Sequence, residues 1–323
     1  MNVLFMGTPR FAVAALEALV EAGHAVTGVV TRPDKPAGRG RKPVASPVKE
    51  AAGRLGLPLS QPPRVNAPET VDALRALEPD VVVVTAFGAI LRRPLLELAP
   101  HGAVNVHASL LPDYRGVAPV QWALIHGAAE TGVTTMLMDE GVDTGPILEQ
   151  QTMAVARGET AGTVLERLGR AGGTLLVHTL AGLADGSLVP RPQPDSGTYA
   201  PRLERVHGHL NLARVRDRVV DQFRGTTPVP GARVFLGADA VLVTALEPAP
   251  EGEGAPYTIL DAGRGRVRVA CGGGAVDLLE VRPPGRNTMS ADAFARGRGL
   301  VPGRRFDAPG ELPELDLRQT AVR

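Results

Sequence analysis

Apolar positions follow two alternating patterns through the first two-thirds of the chain. Val3–Met6, Val26–Thr31, Asp80–Ala86, Ala103–His107 and Val133–Met138 are short, β-branched-rich runs that predict strands. Within Asp80–Ala86 the consecutive Val81, Val82, Val83 and Val84 have the pattern of a strand buried on both faces. Between these runs the period changes to that of a helix. In Phe11–Ala22, Leu16, Leu19 and Val20 share a face and Gly23 stops it. A second helix is expected from Ser46-Pro47, where Ser can cap and Pro fits the first turn. Others are expected over Glu69–Leu77 and Thr160–Leu183. Strand–helix alternation of this kind predicts an α/β fold, a doubly wound, Rossmann-like parallel sheet with helices on both faces.

The texture breaks at Pro190, Pro192, Pro194 and Pro201. Beyond them one helix is expected at Leu212–Phe223. Five short runs follow: Ala232–Leu236, Ala240–Leu246, Tyr257–Leu260, Arg266–Ala270 and Ala275–Val281. Strands with no helix between them predict a small OB-like β-barrel. The expected division is a catalytic domain at 1–189, a linker at 190–204, a barrel domain at 205–310 and a tail at 311–323.

Composition narrows the function classes. Of 323 residues 44% are hydrophobic and 3% aromatic, so Leu, Val and Ala must fill the cores. Cys271 is the only cysteine, which excludes a disulfide framework and a Cys-based metal site, and no metal is expected. No apolar run approaches the ~18 residues of a membrane span, and no basic region precedes the short apolar run near Met1. A cytoplasmic, membrane-free location is the expectation. The net charge of +1 says little, but its distribution says more. All three lysines, Lys35, Lys42 and Lys49, lie with Arg32, Arg39 and Arg41 between residues 32 and 49, opposed only by Asp34. Such a loop is either solvated or a clamp for phosphates, through Arg39, Arg41 and Lys42.

Candidate chemistry lies at strand ends. Met6-Gly7-Thr8-Pro9 has one glycine where a dinucleotide site needs three, so a tight turn is the better reading. Asn105 and His107 are two residues apart on one strand and so point the same way. In an open parallel sheet ligands bind beyond the strands' carboxyl ends. Asp143, flanked by Gly141 and Gly145, follows the next predicted strand and can stand beside His107, orienting the ring and favouring the imidazolium.

Asn105-Val106-His107-Ala108-Ser109-Leu110-Leu111-Pro112 followed by Asp143-Thr144-Gly145 resembles the signature of the folate-dependent formyltransferases. Gly7-Thr8-Pro9, the 32–42 loop, Ser46-Pro47-Val48-Lys49 and Ala86-Phe87-Gly88-Ala89-Ile90-Leu91 are similar to those members that act on initiator methionyl-tRNA. The resemblance implies formyl transfer from 10-formyltetrahydrofolate to the α-amino group of methionyl-tRNA, and a monomer is expected. It implies catalytic roles for Asn105, His107 and Asp143, and a folate pocket from Phe87, Gly88, Ile90, Leu91, Ser109, Leu110, Leu111 and Pro112. It makes Arg39 the leading tRNA contact of the loop. Val206–Asn211 and Thr226–Pro230 depart from the runs usual in that family. The alternatives are a formyltransferase acting on a small amine, and a formyltetrahydrofolate hydrolase.

Overall fold

The computed structural model describes residues 1–37 and 42–316. The chain opens with β1 (Asn2–Gly7), α1 (Arg10–Glu21) and β2 (Ala25–Val30), then a hairpin of β3 (Lys35–Ala37) and β4 (Lys42–Val44). There follow α2 (Pro47–Arg54), β5 (Leu59–Ser60), α3 (Pro68–Arg75), β6 (Val81–Thr85), α4 (Arg93–Leu96) and β7 (Ala103–His107). Next come β8 (Arg115–Gly116), α5 (Pro119–Ile125), β9 (Glu130–Leu137), β10 (Ile147–Ala154), α6 (Ala161–Asp185) and β11 (Tyr199–Ala200). The remainder holds α7 (Arg216–Thr226), β12 (Ala232–Leu236), β13 (Asp239–Pro248), β14 (Ile259–Gly263), β15 (Arg266–Ala270), β16 (Ala275–Arg282), β17 (Met289–Ser290) and α8 (Ala291–Arg298). Among the described residues no helix is long and apolar enough to cross a membrane.

The large sheet runs β10-β9-β7-β6-β1-β2-β5. Its centre, β7 through β5, is parallel as expected. The strand expected at Val133–Met138 departs from that expectation: β9 is antiparallel to β7, and β10 pairs antiparallel beyond it. Strand direction depends on how the chain crosses over, which a local apolar run does not encode.

The strands' alternation sorts side chains between two cores. Val3, Phe5, Val81, Val83, Val104 and Val106 pack with α1 and α6. Leu4, Met6, Val82, Val84 and Ala103 face the α3 side with Val71 and Leu74. Val106 thus belongs to the α6 face, and its neighbours Asn105 and His107 fall on the other. Glycines let α6 lie close: a Cβ on Gly172 would sit 2.8 Å from Val106, and one on Gly173 would sit 2.9 Å from the Ala14 carbonyl oxygen of α1. The cap expected at Ser46 is present, its hydroxyl accepting from Lys49 N at 3.1 Å.

In the β-rich half, β12-β13-β16-β15-β14 form an antiparallel sheet around Val234, Val243, Val267, Val269 and Leu278. The segment 303–307 joins its two edges, bridging Phe235 through Asp307 and Thr258 through Arg305. The two halves meet along α5 and α7 and at the atypical segments. Gly162 N at the start of α6 donates to Thr227 O, and the His207 ring stands edge-on to Trp122 at 5.5 Å. Arg224, buried, donates to Glu159 O (2.8 Å) and Ala156 O (3.1 Å) and pairs with Asp221 (3.2 Å).

Candidate active site

Beyond the carboxyl ends of β1, β6 and β7, three turns lie side by side, because Gly7 pairs with Thr85 and Val84 with Asn105. The Thr8 hydroxyl ties the first two by donating to Phe87 O at 2.9 Å. Gly7 serves packing, since a Cβ there would meet Ala12 and Phe5 at 2.8 Å, in keeping with the tight-turn reading.

Asp143 reaches the site by folding back. After β9 the loop 138–146 reverses, so that Ile147 pairs again with Met136, and it lays Asp143 against the Asn105 and His107 face. A Cβ on Gly145 would collide with the Leu137 carbonyl, so glycine is required where the loop closes. Within it the Asp139 carboxylate accepts from Gly141 N (3.0 Å) and the Thr144 hydroxyl (2.7 Å). The backbone of Asp143 is left-handed, with φ 54°.

The structure brings the three predicted side chains together. Asn105 Nδ2 donates to Asp143 Oδ1 at 3.3 Å, and His107 Nδ1 lies 3.5 Å from Asp143 Oδ2. Gly116 N donates to the same Oδ2 at 2.8 Å. His107 Nε2 is 3.0 Å from Tyr114 O, and a carbonyl only accepts, so Nε2 carries a hydrogen. Nδ1 is therefore the ring atom left facing the Asp143 carboxylate. Its 3.5 Å separation from Oδ2 is longer than a hydrogen bond. Asn105 and His107 are 8% and 6% exposed, which strengthens any charge interaction they make with a substrate.

Of the predicted folate-pocket residues, Gly88 and Ile90 are exposed and Leu110 and Pro112 half-exposed. Phe87 and Leu91 are core members, and Leu111 packs on Met136 and Ile147. Ser109 is buried, its hydroxyl donating to Asp113 O (2.6 Å) and its carbonyl accepting from Thr134 (2.6 Å). The side chains of Phe87, Leu91, Ser109 and Leu111 thus shape the turns, and what those turns can present is mainly backbone. Arg39 and Arg41 lie outside the described residues, and Lys42 is placed only as the first residue of β4.

Four residues were not singled out from sequence. Tyr114, with φ 58°, holds His107 through its carbonyl and touches His126 Nδ1 through its phenol at 3.3 Å. Burial pushes the Tyr114 phenol up and the His126 imidazole down from their ordinary pKa values. Thr198 accepts from Tyr114 N at 2.8 Å. Arg115 is buried and bonds to Gln193. Burial lowers its guanidinium pKa, with the charge of Asp143 first among the acids opposing that shift. Thr198 and Gln193 lie in the stretch whose prolines predict only a linker, and their partners are far away in sequence.

The fold is that of a formyl-transfer enzyme, and the family models agree. Residues 1–180 match the formyl transferase family and residues 203–299 match its C-terminal domain. The chain is 46% identical to the methionyl-tRNA formyltransferase of Myxococcus xanthus over 303 residues, 94% of this chain and 96% of that one. It is 46% identical to the protein of that name from Heliobacterium modesticaldum, over 95% of this chain and 100% of that one. The chain belongs to the methionyl-tRNA formyltransferase family. Among solved structures it superposes on HypX from Aquifex aeolicus bound to tetrahydrofolic acid (TM-score 0.65, 17% identity, 91% of this chain and 47% of that one). It also superposes on an N-formyltransferase from Helicobacter canadensis (TM-score 0.65, 17% identity, 86% and 99%). At such identity the likeness is one of fold.

Proposed function

We propose that the protein transfers the formyl group of 10-formyltetrahydrofolate to the α-amino group of initiator methionyl-tRNA, with Asn105, His107 and Asp143 as its catalytic residues. The observation that carries the reading is the convergence of those three polar side chains, Asn105 and His107 buried and Asp143 half-buried, on one point at the carboxyl edge of the sheet, in a chain of this family.

The neutral amine attacks the formyl carbon. A C–N bond forms and the carbonyl oxygen becomes an oxyanion. Asn105 has a second amide hydrogen to give it, and His107, as the imidazolium with Nε2–H on the Tyr114 carbonyl, can offer Nδ1–H. Fixed donors aimed at developing charge are often the largest catalytic contribution. As the tetrahedral intermediate collapses, the bond to the folate nitrogen breaks and that nitrogen takes up a proton. The proton lost by the attacking amine passes to Asp143, directly or through water. An α-amino group titrates near ~7.7–8.0, so an appreciable minority of it is already neutral at physiological pH. The folate lies in the groove edged by 86–91 and 109–112, and the basic segment 32–49 with the β-rich domain binds the tRNA. No metal is needed in this scheme.

Labelled formyl donor offered to charged initiator tRNA, to small amines and to water tests the assignment. Label is expected on the tRNA. Label on small amines only, or release as formate only, would overturn it in favour of one of the two alternatives.

A further inference from the structure

Gln193 stands outside both packed halves, in a proline-marked segment, yet all of its amide contacts run to the loops around Asp143. Its Nε2 donates to Asp143 O at 2.9 Å and to Gly145 O at 2.7 Å. Its Oε1 accepts from Arg115 Nε at 3.1 Å and Nη2 at 2.8 Å, and Nη2 also donates to Pro194 O at 3.0 Å. Arg115 in turn precedes Gly116, whose N–H holds the Asp143 carboxylate. Asp143 has a left-handed backbone, a region that Asp tolerates better than most non-glycine residues but does not favour. The two donations from Gln193 pin the peptide that follows the Asp143 Cα, and with it the direction in which the carboxylate leaves the backbone.

We propose that Gln193 is a positioning residue for the Asp143 carboxylate, with Arg115 fixing the orientation of the Gln193 amide. The linker before the β-rich domain is in this way part of the catalytic apparatus. The proposal rests on the role given to Asp143 above. Only a side chain with two donors and one acceptor at this length satisfies the loop carbonyls and the buried guanidinium together.

Two variants of the full-length protein test it. Gln193→Glu keeps an acceptor for Arg115 but turns an oxygen toward two carbonyls; Gln193→Met keeps the length and removes every bond. Each should lower kcat for formylation of charged initiator tRNA by about tenfold or more, with KM for tRNA and for folate donor within about threefold. Circular dichroism melts establish which variant folds, and either one suffices. The decisive measurement is a double-mutant cycle with Asp143→Ala. If Gln193 acts through that carboxylate, its substitution in the Asp143→Ala background costs less than about twofold more. Losses that multiply independently, or a normal kcat in a folded Gln193 variant, would overturn the proposal and leave the catalytic reading standing. A normal kcat for Asp143→Ala alone would bring down both.

Discussion

Replacing Arg224 by methionine keeps the aliphatic stem that fills the junction between the two halves and removes the guanidinium. The side chain is 8% exposed, and its partners are the carbonyls of Glu159 and Ala156 and the carboxylate of Asp221, itself 15% exposed. Asp221 is already raised above the ordinary carboxylate pKa, by burial first, with Arg224 the foremost cation opposing that shift. Without the arginine, Asp221 loses its hydrogen-bonded cation and two carbonyls lose a charged donor. Breaking such a buried pair costs about 3–5 kcal/mol, which lowers the melting midpoint by about 6–20 °C. Because the folded pKa is raised, the contribution of Asp221 favours the fold below its unfolded value and is lost as pH rises through the folded value. Adding Asp221→Asn to Arg224→Met should therefore recover about 1–2 kcal/mol at pH 7 and little below pH ~4. Calorimetry across that range measures both effects. At 25 °C the double check is kinetic: KM for tRNA rises as the β-rich domain loosens, while affinity for the folate donor is unchanged. An Arg224→Met midpoint within about 2 °C of the parent would refute the reasoning.

Asp143→Asn preserves volume but removes the charge facing His107 and, on the proposed mechanism, the proton acceptor. Single-turnover formylation should fall by about 10²–10⁴ with the melting curve almost unmoved; a loss under tenfold would take Asp143 out of the chemistry. Neutralising Arg39, Arg41 and Lys42 to Gln should weaken tRNA binding and reduce the slope of log affinity against log salt by about one per lost phosphate contact, read by filter binding across salt concentrations. Gly173→Val forces α6 away from the Ala14 carbonyl and the Ala18 methyl, 2.9 and 3.0 Å from its Cβ position. It should cost about 1–3 kcal/mol in urea denaturation.

What was legible in the sequence was whatever local pattern dictates. Ala232–Leu236 and Arg266–Ala270 are legible to the residue, because Arg233 between Ala232 and Val234, and Arg266 and Arg268 around Val267, set a period of two between turn residues. Val81–Val84 announced a central strand. Asn105 and His107 were readable as a pair because period two puts them on one face. β10 was missed because Glu149, Gln150 and Gln151 interrupt its middle at the sheet's edge, where no buried face imposes a pattern. α5 was missed for the opposite reason, its residues Val120, Trp122, Ala123, Leu124 and Ile125 being buried all round and therefore aperiodic. The reversal of β9, and the bonds of Gln193 to residues 48 and 50 positions away, are products of chain crossing. No window of sequence contains both partners.

The segment 303–307 closes the sheet of the β-rich half by pairing with β12 on one side and β14 on the other. During synthesis the two outer strands are made well before the piece that seals them. In that interval each presents a row of unpaired N–H and C=O groups, the kind of edge on which chains stick to one another. The strands of the first half are complete much earlier, the last of them, β11, ending at Ala200. A chain ending between residues 283 and 302 would therefore hold every strand of the first half but leave the outer strands of the other unsealed. Truncations in that window are the ones to expect in aggregates.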